Sequence, residues 1–119
     1  MTDPISKDQT FQFLTRSLRV IIDRPMGWRD PQFQGAYPLN YGYIPGVLSP
    51  DGEELDAYVL GPDQPLKEFE GVCVAVVERL DDVENKLIVA DPTLNWGEAE
   101  IRRQIDFIEQ YYCSRIVMA

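Results

Sequence analysis

Asp51, Glu53 and Asp56 place three carboxylates within one short stretch, directly after the aromatic and glycine-rich run 37–46. Carboxylates held so closely repel one another unless a cation sits among them. A hard divalent ion such as Mg²⁺ takes oxygen ligands of this kind, one or two carboxylates together with waters and a substrate phosphate. The chemistry that the stretch implies is a metal-phosphate site; its plain alternative is an acidic, solvated turn. In an extended segment, residues i and i+2 share a side, so Asp51 and Glu53 converge if the chain stays extended, and Asp56 opens the next strand towards the same space.

A second acidic group follows at Asp81, Asp82 and Glu84, with Lys86 beside it. A lysine among acids can hold a phosphate oxygen as a point charge. The alternative is a hairpin tip with local ion pairs, which are worth only about 0–1 kcal/mol when exposed. Tyrosines form the third group: Tyr37, Tyr41, Tyr43, Tyr111 and Tyr112. A tyrosine hydroxyl can donate to phosphate, and the ring more commonly fills core with its tip in water.

Composition narrows the classes of function. At 119 residues and 45% hydrophobic content the chain has material for one core and is read as one domain, 1–119, with residues 1–9 a loose terminus. A formal charge of −9 opposes generic binding to nucleic acid or to an anionic membrane, which needs clustered Lys and Arg. It permits a small anionic substrate bridged by metal ions. No histidine is present, which removes His-based triads and His-ligated zinc. Cys73 lies in an apolar run and reads as core, and Cys113 has no identifiable partner. The polar N-terminus and the lack of a membrane-length apolar run point to a soluble, cytoplasmic protein.

Several strands must position these groups. Residues 10–18 are ambiguous between helix and strand, and 19–23 read as a strand. Met26 to Gly35 reads as a loop. Residues 41–47 read as a strand in which Gly42 marks a bulge or a close backbone approach. Ser49-Pro50-Asp51-Gly52 is a turn signal, since Pro50 fixes φ and Gly52 tolerates φ > 0. Strands follow at 55–60, 72–77 and 86–90, which together suggest an antiparallel sheet or small barrel. Ile101, Ile105, Ile108 and Tyr112 recur at helical spacing, with Asn95 and Glu98 spaced as a capping box, so an amphipathic helix of about four turns packs on the β-structure.

At Asn40-Tyr41-Gly42-Tyr43-Ile44, followed by Asp51-Gly52-Glu53-Glu54-Leu55-Asp56, the chain resembles the soluble family I inorganic pyrophosphatases, whose pattern is N-Y-G-[FY]-I and then D-G-D-P-x-D about ten residues later. Glu84-Asn85-Lys86-Leu87 is similar to the family's D-x-K-L segment, and Phe107 to Tyr111 to its C-terminal F-x-x-x-Y-K segment. Asp23 sits where the family has a glutamate. The resemblance runs from about Val20 to Tyr112 and is most specific in its middle third. It implies a mainly β fold, an OB-like five-stranded antiparallel barrel with a C-terminal amphipathic helix. It implies Mg²⁺-dependent hydrolysis of pyrophosphate to two phosphates, and frequent homo-oligomers. Carried over, Asp51, Glu53 and Asp56 would hold metal, with Asp81 or Asp82 and Glu84 completing the cage. Glu53 or Asp56 would accept the proton of the attacking water, with Tyr41 beside them. Lys86, Tyr41 and Tyr111 would contact phosphate.

Three departures set a rival reading beside this one. Glu53 is one methylene longer than the family's aspartate, Tyr112 stands in place of a phosphate-binding lysine, and the N-terminal part is shorter where the family has a lysine and an arginine. Arg24 and Arg29 are the candidate replacements, out of step with the family spacing. The rival is a non-catalytic module that binds metal-phosphate ligands or acts in assembly.

Overall fold

A computed structural model describes residues 2–31 and 35–119. Its main element is a six-stranded sheet made of β1 (Ser17–Arg24), β4 (Asn40–Leu48), β5 (Glu54–Leu60), β6 (Glu68–Arg79), β7 (Lys86–Ala90) and β8 (Ser114–Met118). The order is β1-β4-β5-β7-β6-β8, and β1 also pairs with β6, which closes β1, β4, β5, β7 and β6 into a five-strand barrel. Two short strands, β2 (Arg29–Asp30) and β3 (Gly35–Ala36), pair with each other inside and just past the stretch expected to be loop. Residues 32–34 of that expected loop, and Met1 of the expected loose terminus, lie outside the described residues.

The barrel corrects one feature of the expectation. β5 and β7 run parallel, with Ala57 opposite Leu87, so the barrel is mixed rather than wholly antiparallel. Parallel neighbours begin at the same end of a sheet. The bend before β5 and the loop before β7 therefore open on one side of the molecule.

Alternation along the strands divides the core in two. Val20, Ile44, Leu55, Ala57, Val76, Leu87 and Val89 fill the barrel interior, together with Cys73. Burial pushes the Cys73 thiol up to about 12, so it is an inert core group. Tyr41, Tyr58, Leu60, Val77, Ile88 and Ala90 face outward and are covered by the helix α1 (Glu98–Glu109) through Ile101 and Ile105. Buried on both faces, β7 is apolar throughout apart from Lys86 at its first position.

Two local expectations change. The helix starts after Gly97, with no side-chain cap, so Asn95 and Glu98 do not form the expected box. It runs for 12 residues, shorter than four turns, and the chain then forms β8, which pairs with β6. The expected close approach at Gly42 is present: a Cβ there would stand 1.9 Å from the carbonyl oxygen of Ile21. Only glycine lets β4 come this near β1.

Residues 2–9, expected to be loose, are tied to the barrel. The Ile5 N–H donates to the Leu48 carbonyl at 2.9 Å, and a 3-10 helix follows at Asp8–Phe13. Lys7 Nζ donates to the carbonyls of Arg79 and Asp82, and Asn85 Nδ2 donates to Thr10 Oγ1 at 2.9 Å. The N-terminal segment thus holds the 80–85 loop in place.

Candidate active site

Asp56 lies one residue before the Ala57–Leu87 pair, and Lys86 occupies the same position on the neighbouring strand. Register alone brings them together: Lys86 Nζ lies 2.6 Å from Asp56 Oδ2 and 2.6 Å from Glu84 Oε1. The lysine is almost wholly buried. Burial opposes its charge, but Asp56 and Glu84 outweigh that and raise its pKa. Glu84 is itself raised, by burial first and by Asp51 beside it, although Lys86 pulls the other way. Negative charge here exceeds what the single ammonium neutralises.

Positions on three further strands, with Ile108 of α1 and Tyr112 just beyond it, complete a cavity of about 270 Å³ at this end of the barrel. β4 contributes Tyr41, whose hydroxyl burial and the neighbouring Asp56 keep protonated, with a pKa well above the usual phenol. β1 contributes Asp23 and Arg24, at a break in register between Ile22 and Arg24. Asp23 is raised by burial, then by Asp56 and Glu54.

β6 contributes Arg79 at its end. Its guanidinium takes Glu109 in a fork, Nε to Oε1 at 3.2 Å and Nη2 to Oε2 at 2.7 Å, and donates to Asp82 Oδ2 at 3.1 Å. Tyr58 donates to the same Glu109 at 2.5 Å, and the Tyr112 ring lies 3.7 Å from the guanidinium carbon. Burial opposes the Arg79 charge, but Glu109 and Asp82 hold its pKa above the ordinary value. Asp82 is lowered: burial works against its charge, but Arg79 and the N–H groups of Val83 and Glu84 prevail.

Most of the expected site residues meet. Asp56, Asp82, Glu84, Lys86, Tyr41 and Arg24 line one cavity, and Asp51 adjoins it through Glu84. Glu53 does not line it. Ser49 N–H donates to the Glu53 carbonyl at 2.7 Å, Gly52 takes φ +87°, and Glu53 N–H donates to Asp51 Oδ1 at 3.0 Å. This tight turn replaces the extended geometry that would have aligned Asp51 with Glu53, and leaves the Glu53 side chain in solvent. Asp81 also stays outside, accepting from the Cys113 N–H at 3.0 Å. Tyr111 lies in a neighbouring cavity, and Arg29 is exposed on β2.

Arg79, which lines the cavity, and Glu109, which holds it from behind, are two residues that the sequence reading missed. Both carried a signal: Arg79 extends the outward face of Val77, and Glu109 continues the Ile101–Ile105 spacing on a buried stripe. Asn40 has a supporting part, since its Oδ1 accepts from Met26 and Leu66 N–H groups and pins two loops to β4.

Among the described residues no three acidic or thiol side chains are gathered in a ready-made metal site. The donors present nonetheless suit one. Asp51, Asp56 and Glu84 offer oxygen alone, and two of these carboxylates share the single Lys86 ammonium, an excess of negative charge that fits a hard divalent cation.

A closed five-strand barrel with one C-terminal helix, bearing an acidic cavity threaded by lysine and arginine, defines the class of protein. The inorganic pyrophosphatase family model matches residues 14–111. An inorganic pyrophosphatase of Aeropyrum pernix is 44% identical over 81 residues, covering 66% of this chain and 43% of that protein, so the chain spans under half the length of this curated relative. Among solved structures, an inorganic pyrophosphatase from Ehrlichia chaffeensis superposes with a TM-score of 0.67 at 16% identity, covering 99% of this chain and 91% of the other. One from Thermus thermophilus gives 0.58 at 21% identity, covering 85% and 80%. The chain belongs to the inorganic pyrophosphatase family. Among the described residues no helix is long and apolar enough to cross a membrane.

Proposed function

We propose that this chain hydrolyses pyrophosphate to two phosphates with the help of Mg²⁺. The observation that carries the reading is the meeting of Asp56, Asp82 and Glu84 with Lys86, Arg24 and Arg79 in one cavity. Asp51, Asp56 and Glu84 would hold the metal, with Asp82 at the margin. Bound there, a divalent ion neutralises phosphate charge and makes water more acidic.

The chain's own groups do the rest. Lys86 and Arg24 bind phosphate oxygens and stabilise the charge that builds on the leaving phosphate. Tyr41, kept protonated, donates a hydrogen bond to substrate. Asp56 accepts the proton from the attacking water. Glu53 stands outside this scheme because it neither lines the cavity nor adjoins it through Glu84, as Asp51 does. Arg79, clamped by Glu109, supplies a cation beneath Tyr112, the position where the family carries lysine. A single domain, working in the cytoplasm as a homo-oligomer, belongs to the same reading; light scattering on purified protein tests the assembly.

Purified protein given pyrophosphate and Mg²⁺ is expected to release phosphate. Release should vanish with chelator and in Asp56→Ala. No release, or release that survives Asp56→Ala, rejects the scheme. The exposed Glu53 and the tyrosine at 112 favour a second reading, a module that binds the metal-phosphate ligand without turnover. Calorimetry separates the two, since heat of binding without phosphate release selects the module.

A further inference from the structure

The loop between β6 and β7 gathers Asp81, Asp82 and Glu84 within residues 80–85. Like charges so close push a loop open unless something closes it. Packing contributes little, since Leu80 and Val83, the apolar residues of the loop, are 59% and 63% exposed. Hydrogen bonds do the closing. The backbone carbonyls of Arg79 and Asp82 converge on Lys7 Nζ, which donates to the first and, at 2.7 Å, to the second. A half-buried ammonium spent on carbonyls, with carboxylates at hand in the same loop, acts as a built-in cation for the backbone.

The same segment fixes the far end of the loop. Thr10 Oγ1 donates to the Lys7 carbonyl at 2.6 Å, and Asn85 Nδ2 donates to that carbonyl at 3.2 Å and to Thr10 Oγ1 at 2.9 Å. Asn85 Oδ1 accepts from the Arg79 N–H at 3.2 Å, and Thr10 and Asn85 are both wholly buried. Within the loop, Asp82 Oδ1 accepts from the Val83 N–H at 2.6 Å, and Arg79 Nη1 holds Oδ2 at 3.1 Å. The backbone at 79 and 82 therefore sets where the Asp82 and Glu84 carboxylates enter the cavity. Lys7 is the one charged group of the N-terminal segment that grips that backbone.

Resting on the metal-assisted reading above, we propose that Lys7 is a positioning residue for the divalent ion. It touches neither metal nor phosphate. By closing the 80–85 loop it keeps Asp82 and Glu84 turned towards Asp56, so that the carboxylates of the two acidic segments can share one cation. Glu84 and Asp56 already share Lys86, each at 2.6 Å, and a loop that swings outward takes Glu84 from that meeting point. Residues 5–10, remote from the acidic segments in sequence, thereby belong to the working parts of the site.

The whole chain is titrated with Mg²⁺ alone by calorimetry, below the melting temperature of each variant. Lys7→Met should weaken Mg²⁺ binding about tenfold or more, the scale on which groups behind a metal ligand act. Lys7→Gln keeps amide donors without the charge; it should fall between Lys7→Met and the parent, and it serves alone if Lys7→Met does not fold. The sign of the change discriminates. Loss of a cation beside an acidic cavity would, by charge alone, tighten Mg²⁺ binding. A merely structural lysine would lower the melting temperature without moving the binding constant. Tighter or unchanged Mg²⁺ binding in the folded variants overturns the inference. Phosphate release from pyrophosphate should need correspondingly more Mg²⁺ to reach half its maximum. If the variants bind Mg²⁺ more weakly and even the parent cleaves no pyrophosphate, the role of Lys7 stands and the hydrolase falls. If the parent cleaves pyrophosphate and Lys7→Met binds Mg²⁺ as tightly as the parent, the hydrolase stands and the role of Lys7 falls.

Discussion

Arg79 and Lys86 are each held between two carboxylates on the same face of the barrel, yet their surroundings differ. Arg79 is enclosed on one side, where Glu109 has no solvent exposure, Tyr58 donates to that carboxylate and Tyr112 lies over the guanidinium, while its second partner, Asp82, keeps 24% of its side-chain surface open beside the shared cavity. Lys86 is itself covered, but Asp56 keeps 30% of its side-chain surface open and Glu84 keeps 13%. The enclosed group ties the end of α1 to β6. The open group faces a cavity where a ligand can compete for the same lysine. Similar ion pairs are thus closed by the helix in one place and left open in the other, and access to solvent decides which of them a ligand could reach.

The comparison breaks most plainly at Glu109. Glu109→Gln leaves Arg79 charged and buried with its main partner gone, and should cost about 3–5 kcal/mol in urea denaturation. A loss below 1 kcal/mol would show that Asp82 and Tyr112 suffice, and that the enclosed cluster is no tie between α1 and β6. Lys86→Gln comes next. It should cost less, about 1.5–3 kcal/mol for the lost charged hydrogen bonds, because Asp56 can take up water. Mg²⁺ should then raise the melting temperature of Lys86→Gln by more than that of the parent, since the ion can settle among acids that the ammonium has left; an equal rise in both would separate the metal from these carboxylates. Gly52→Ala forces a side chain into a φ of +87° and should cost about 1–2 kcal/mol while loosening the bend that carries Asp51.

The smallest effects carry opposite signs in the two regions. Asp82 has a lowered pKa, so its stabilisation is present above the ordinary carboxylate range and is lost as pH falls through the folded value. Asp82→Asn should therefore lower the metal-free melting temperature at pH 7, with the difference closing in acid. Asp23 has a raised pKa, so its cost is present above its folded value and disappears below the unfolded one. Asp23→Asn should raise the melting temperature at pH 7 in chelator, and the gain should close in acid. Matching signs in the two variants would contradict the contrast.

Much of the fold was legible from local pattern. The strands at 19–23, 41–47, 55–60, 72–77 and 86–90 all fall within or match β1, β4, β5, β6 and β7, because apolar runs bounded by Gly, Pro and Asp leave few other conformations. β8 escaped notice because Ser114–Met118 is short and follows a helical stripe; its strand form comes from the free edge of β6. The capping box failed because spacing alone does not fix which residue begins the helix. Glu53 was drawn into the cluster by i, i+2 logic, which the turn at 49–53 suspends.

By itself the sequence determined the acidic segments 51–56 and 81–86, the lysine between strands, the motif around Asn40 to Ile44 and the apolar runs of the barrel. All of these are properties of neighbours along the chain. Only the tertiary structure decided that the two acidic segments meet. Their meeting depends on the parallel pairing of β5 with β7, a contact between strands some thirty positions apart that no local spacing encodes. Antiparallel pairing of these two strands would have sent the 51–54 bend and the 80–85 loop to opposite ends of the barrel, and the same carboxylates would have formed two solvated turns.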